Sequence, residues 1–108
     1  MGRREKFTII YAPEVGSHVD AISPNLHSVI RRAIQDRLTF EPGRPTRNRK
    51  PLETLPGPSG STWELRCGLH NEFRVFYEFD ASAHRVRILA IGVKDRDRLF
   101  IAGEEFVL

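Results

Sequence analysis

Cysteine occurs once in this chain, at Cys67, so no disulfide can form within it. That usage fits a reducing compartment better than a secreted, disulfide-stapled scaffold. Long apolar runs are missing as well: nothing approaches the ~18 residues of a membrane span. The opening Met1-Gly-Arg-Arg-Glu-Lys6 is charged and leads into no apolar stretch of signal-peptide kind. Together these absences predict a cytoplasmic protein with no membrane partner. No Gly-rich phosphate loop and no Ser-nucleophile elbow occurs. The four histidines, His18, His27, His70 and His84, are scattered rather than set at metal-ligand spacing. No metal site and no cofactor is expected. Internal repeats and heptads are lacking too.

What remains is a chain of 108 residues, read as one domain, 1–108, with enough length for a core but none for a second unit. Hydrophobic residues make up 40% and charged residues 29%, an ordinary globular balance. The formal net charge is only +3, so the distribution of charge matters more than its total.

The strand signal is strongest between Trp63 and Phe100. Trp63-Glu-Leu-Arg-Cys-Gly68, Phe73-Arg-Val-Phe-Tyr-Glu-Phe79 and Val86-Arg-Ile-Leu-Ala-Ile-Gly92 are rich in β-branched and aromatic residues, and short polar turns separate them. The middle run is apolar except at Arg74 and Glu78, which suits a central strand covered on both faces. If the first turn is symmetric about His70, Arg66 and Arg74 lie opposite one another. If the second is symmetric about Ser82, Lys94 comes near the tip of the first hairpin. Leu99-Phe-Ile101 with Phe106-Val-Leu108 reads as a final edge strand.

Upstream, Phe7-Thr-Ile-Ile-Tyr11 reads as a first strand, ended by Ala12-Pro13. Pro13 suits the first position of a helix reaching about Ile22, and Ser23-Pro24 suits the cap and first residue of the next. On that second helix Leu26, Val29, Ile30, Ala33, Ile34 and Leu38 form one apolar stripe. The predicted class is therefore α+β: an N-terminal strand and helical hairpin packed on a small curved antiparallel sheet. Between Gly43 and Thr62 the spacing predicts a long structureless connection, a length that usually marks a functional or mobile segment. From Arg31 to Lys50 seven basic residues face two acidic ones, 7 − 2 = +5.

Three sets of side chains carry candidate chemistry. Arg66, Arg74 and Lys94 either converge on one phosphodiester, stabilising the extra charge of its pentacoordinate transition state, or Arg66 and Arg74 pair with Glu64 and Glu78 as ladder charges. Arg44, Arg47, Arg49 and Lys50 either grip an RNA backbone through counterion release or form a solvated loop. His70 is either an acid or base at a hairpin tip or simply surface. Cys67, Trp63, Phe73 and Tyr77 read as core, and Tyr77 then needs a partner for its hydroxyl. Phe100 reads as packing rather than as a base-stacking ring.

In order and spacing, Trp63-Glu-Leu-Arg66, Phe73-Arg-Val-Phe-Tyr77 and Ile91-Gly-Val-Lys94, preceded by Arg49-Lys-Pro-Leu52 and Leu55-Pro-Gly57, resemble toxins of the RelE/ParE superfamily. The resemblance runs over nearly the whole chain. It implies a toxin of a type II toxin–antitoxin module, silenced by a cognate antitoxin. A RelE-type member would be a ribosome-dependent endoribonuclease that cuts mRNA without a metal. A ParE-like member would instead inhibit DNA gyrase by binding, and an inactive member would only bind its antitoxin. By position, the resemblance assigns Arg74 and Lys94 to phosphate and transition-state charge, and Arg66 to orientation or proton transfer. Two positions depart from the family: Glu64 stands where many members carry a second lysine, and Phe100 where a C-terminal tyrosine is expected. A general acid would then come from His70 or Lys94, and a base from Glu64 or Glu53.

Overall fold

Runs of β-branched and aromatic residues become strands in the computed structural model, which describes residues 5–107. Residues 1–4 and Leu108, which the sequence reading assigned to the domain and to its last strand, lie outside the described residues. Strand β1 (Thr8–Tyr11) precedes helices α1 (Val15–Asp20) and α2 (His27–Leu38). After them come β2 (Arg49–Pro51), β3 (Trp63–Cys67), β4 (Phe73–Asp80), β5 (Arg85–Asp95), β6 (Arg98–Ile101) and β7 (Glu104–Phe106). Strands β2 to β7 form an antiparallel meander in chain order, and β1 joins it by pairing parallel to β5. The class is α+β, as the sequence predicts.

The core lies between the two helices and one face of the sheet. Val15, Ile30, Ile34 and Leu38 pack there with Leu65, Val75, Tyr77, Val86, Ile88 and Ile91. Tyr77 is fully buried, and its hydroxyl donates to the Pro42 carbonyl at 2.7 Å. A phenol in that position without an acceptor would cost about 1–3 kcal/mol.

Several expectations need correction. Helix α1 is shorter than predicted: Glu14 stands at its N-cap position without a side-chain cap bond, and Pro13 stands before it. Ser23 precedes a 3₁₀ turn, Pro24–Leu26, and makes no side-chain cap bond. Val29 belongs to the apolar stripe by spacing yet is 42% exposed, because it lies to one side of the buried row Ile30, Ile34 and Leu38. The connection read as structureless holds β2 and a 3₁₀ turn, Pro58–Gly60, with Pro58 buried near β5. A three-residue strand is too short to show a period. The predicted single edge strand is a hairpin of two, β6 and β7.

The hairpin about His70 has the predicted register, with Arg66 opposite Arg74. The second hairpin pairs Asp80 with Arg85, and the pairing slips by one residue between Phe76 and Tyr77, where Leu89 is the extra residue of a β-bulge. That slip brings Lys94 alongside Glu72, whose carbonyl accepts the Lys94 N–H at 2.7 Å.

The outer edge of β5 is shared. β1 pairs with Arg85 to Ile88, and β6 with Gly92 to Asp95. In the gap, the Ile91 N–H donates to Nδ1 of the buried His18 at 3.2 Å, so α1 is fastened to the sheet through an imidazole acceptor. Burial lowers the His18 pKa below its ordinary 6.5, against the opposing pull of Glu14. The native state therefore favours the neutral ring, and the unfolded chain binds the extra proton. This contribution to stability is complete above about pH 6.5 and falls as the pH drops towards the lowered pKa. Urea unfolding at pH 5 and pH 7.5 should show a loss at the lower pH. The loss should shrink in His18→Asn, whose amide oxygen offers an acceptor that does not titrate.

Candidate functional site

Cross-strand register lines up three rows of side chains on the face of the sheet turned away from the helices. Lys50, Glu64, Phe76 and Ala90 form one row, and Arg66, Arg74, Gly92 and Ile101 the next. Lys94, Leu99 and Phe106 form the third. Residues from these rows and from the 52–58 segment enclose a cleft of about 390 Å³. Gly92 helps to shape this face. A Cβ there would come within 2.9 Å of the Phe100 carbonyl oxygen and of Leu99 Cδ1, so any side chain would push β6 away.

The cleft is lined by the cations Lys50, Arg74, Lys94 and Arg98 and by the carboxylates Glu53, Glu64, Asp97 and Glu105. Two of the cations are paired. Arg74 Nε lies 3.1 Å from Glu64 Oε1, with the two side chains only 12% and 10% exposed. The Arg74 guanidinium also donates to the Asn71 carbonyl. Arg98 Nη2 lies 2.8 Å from Glu105 Oε1 at the rim. Burial pulls the Arg74 pKa down, and the Glu64 carboxylate counters it. Lys50 and Lys94 have no carboxylate within 4.0 Å among the described residues, so theirs are the ammonium groups left to meet a ligand.

No protein-family model, curated protein or solved structure matches this chain.

The sequence candidates divide accordingly. Arg74, Lys94, Glu64, Lys50 and Glu53 meet in one cleft. Arg66 touches it only through Glu64, its Nε 3.4 Å from Oε1, and otherwise lines a separate pocket beside α2. Arg66 and Arg74 do form ion pairs, but both to Glu64, while Glu78 pairs with Arg87 at 3.4 Å. His70 sits exposed at its turn, where its backbone N–H donates to Glu72 Oε1 at 2.9 Å, and it does not line the cleft.

The basic run breaks up as well. Arg44 and Arg47 are exposed, and Arg44 pairs with Glu41 at 3.3 Å. Arg49 is buried, where its guanidinium donates to the carbonyls of Arg37 and Arg44 and ties the end of α2 to β2. It is held away from solvent and cannot join an exposed phosphate grip, which corrects that part of the expectation. The cause is local: β2 alternates, and Lys50 takes the cleft side while Arg49 takes the other. Phe100 pairs with Val93, out of phase with Lys94, and the Arg98 guanidinium carbon lies 5.2 Å from its ring centroid. Cys67 is buried, and burial pushes its thiol up to about 11, so it reads as core.

Sequence reasoning underrated Lys50 and missed Leu99 and Phe106 as walls of the cleft. Lys50 sits in a strand of three residues, and the two apolar residues belong to a hairpin whose pairing only tertiary structure reveals.

Proposed function

We propose that this protein is a RelE-like toxin of a type II toxin–antitoxin module, a metal-independent endoribonuclease acting on mRNA at the ribosome. The observation that carries the reading is the placement of two unpaired ammonium groups, Lys50 and Lys94, in one cleft with the immobilised Arg74–Glu64 pair.

Cleavage at such a site needs no redox partner. Glu64 accepts the proton of a ribose 2′-OH, and the freed oxygen bonds to the adjacent phosphorus. The bond from phosphorus to the 5′-oxygen breaks, and Lys94 protonates that leaving oxygen. The products are a 2′,3′-cyclic phosphate and a 5′-hydroxyl. Lys50 and Arg74 face the non-bridging oxygens, where charge builds up in the pentacoordinate state. With His70 outside the cleft and Phe100 unable to donate, Lys94 takes the donor's role, and Lys50 is left to the phosphate oxygens.

The protein expressed without its antitoxin should arrest growth and leave new mRNA 5′ ends within codons. Intact message in arrested cells would reject the nuclease. A second reading, gyrase inhibition of the ParE kind, draws on the four cations and four carboxylates that balance in the cleft. Loss of supercoiling activity by purified gyrase would select it. Unaffected message and unaffected gyrase would leave the inactive, antitoxin-binding member.

A further inference from the structure

On α2, Val29, Arg32, Ala33, Asp36 and Arg37 recur at helical spacing and form a second stripe beside the buried one. This stripe is one wall of a pocket of about 330 Å³, separate from the cleft. The opposite wall is the β3–β4 hairpin, past the point where β2 stops covering the edge of β3. Three arginines line it, Arg32, Arg37 and Arg66, against one acidic residue, Asp36. No carboxylate lies within 4.0 Å of Arg32 or Arg37 among the described residues, Asp36 included. Two carboxamides complete the lining: Asn48 Oδ1 accepts from Arg37 Nη1 at 3.4 Å, and Asn48 Nδ2 donates to Asn71 Oδ1 at 3.4 Å. Both hydrogen bonds are long and leave the groups free to turn to a better partner.

We infer that this pocket is a phosphate-binding site for the backbone of single-stranded RNA, next to the cleft and apart from it. Guanidinium groups match phosphate oxygens in fork geometry, and like charges gathered in a concavity favour an anionic occupant. The volume suits a phosphate with its sugar rather than a bare ion. Arg66 borders both places: its Nε lies 3.4 Å from Glu64 Oε1 in the cleft, and the residue is also part of the lining of the pocket. That the nucleic acid is RNA rests on the nuclease reading of the cleft.

The test is fluorescence anisotropy with a 2′-O-methyl RNA oligonucleotide, which cannot be cut, over a salt series. Arg32→Ala/Arg37→Ala should weaken binding and flatten the slope of log K against log salt by about 0.7 for each phosphate no longer neutralised. Arg85→Ala/Arg87→Ala, which removes as much charge from the far end of β5, should leave the slope nearly unchanged. Equal flattening by both pairs, or none by the first, would overturn the site. If the unaltered protein binds no RNA, the reading of the cleft falls with it; unaltered RNA binding in the first pair removes the pocket alone. Loss of poly-glutamate binding with RNA binding intact would give the pocket to an acidic protein and also overturn it.

Discussion

Lys94→Ala is expected to cut RNA cleavage by about 10²–10³-fold, the range seen when one donor to a developing oxyanion is removed. Folding should be almost untouched. The ammonium has no carboxylate within 4.0 Å among the described residues, and the backbone bond from the Lys94 N–H to Glu72 survives the substitution. A change within about 0.5 kcal/mol is normal for such a position. Single-turnover cleavage of a ribosome-bound message, read beside thermal unfolding, separates the two effects. An unchanged rate in a folded variant would take Lys94 out of the chemistry and leave the proposed nuclease without its proton donor.

Arg74→Ala is expected to act first on stability. Its guanidinium and the Glu64 carboxylate are almost withdrawn from water and held 3.1 Å apart. Removing Arg74 leaves the largely buried Glu64 with only the longer 3.4 Å contact to the part-exposed Arg66, which costs about 3 kcal/mol, the low end for a broken buried pair. For a domain of this size the melting temperature should fall by more than about 10 °C. Adding Glu64→Gln should recover part of the loss, because the stranded charge is then gone; a double variant no more stable than Arg74→Ala would show that the pair does not carry the effect. Loss of toxicity in Arg74→Ala is therefore no test of catalysis by itself. The family resemblance assigns Arg74 to phosphate and transition-state charge, but the structure makes it also half of the pair that fixes Glu64.

That shift shows where reading from sequence stops. The strands from Trp63 onward were legible because their alternation is strong and their turns are short, and the pairing of Arg66 with Arg74 followed from turn symmetry alone. Direction was harder to read. Arg49 and Lys50 are adjacent basic residues in one run, yet a single step along β2 sends one inward and the other to the cleft. Nor does local pattern show which carboxylate two arginines will share: cross-strand pairing sets Glu64 opposite Phe76 and so diagonal to Arg74, while Glu78, four residues along β4, stands opposite Arg87 and pairs with it. The parallel pairing of β1 with β5 leaves no mark on either segment.

That last pairing also sets an order of events. Residues 8–11 and 85–88 are neighbours in space but more than seventy positions apart in the chain, and closing so long a loop carries an entropic cost that grows with its length. A ribosome adding roughly 5–20 residues per second exposes the apolar stripe of α2 seconds before the strand that completes its cover has been made. During that interval Ile30, Ile34 and Leu38 are open to whatever apolar surface is nearby. The nascent chain is then at its most vulnerable to aggregation, and most accessible to any chaperone, before its cleft exists.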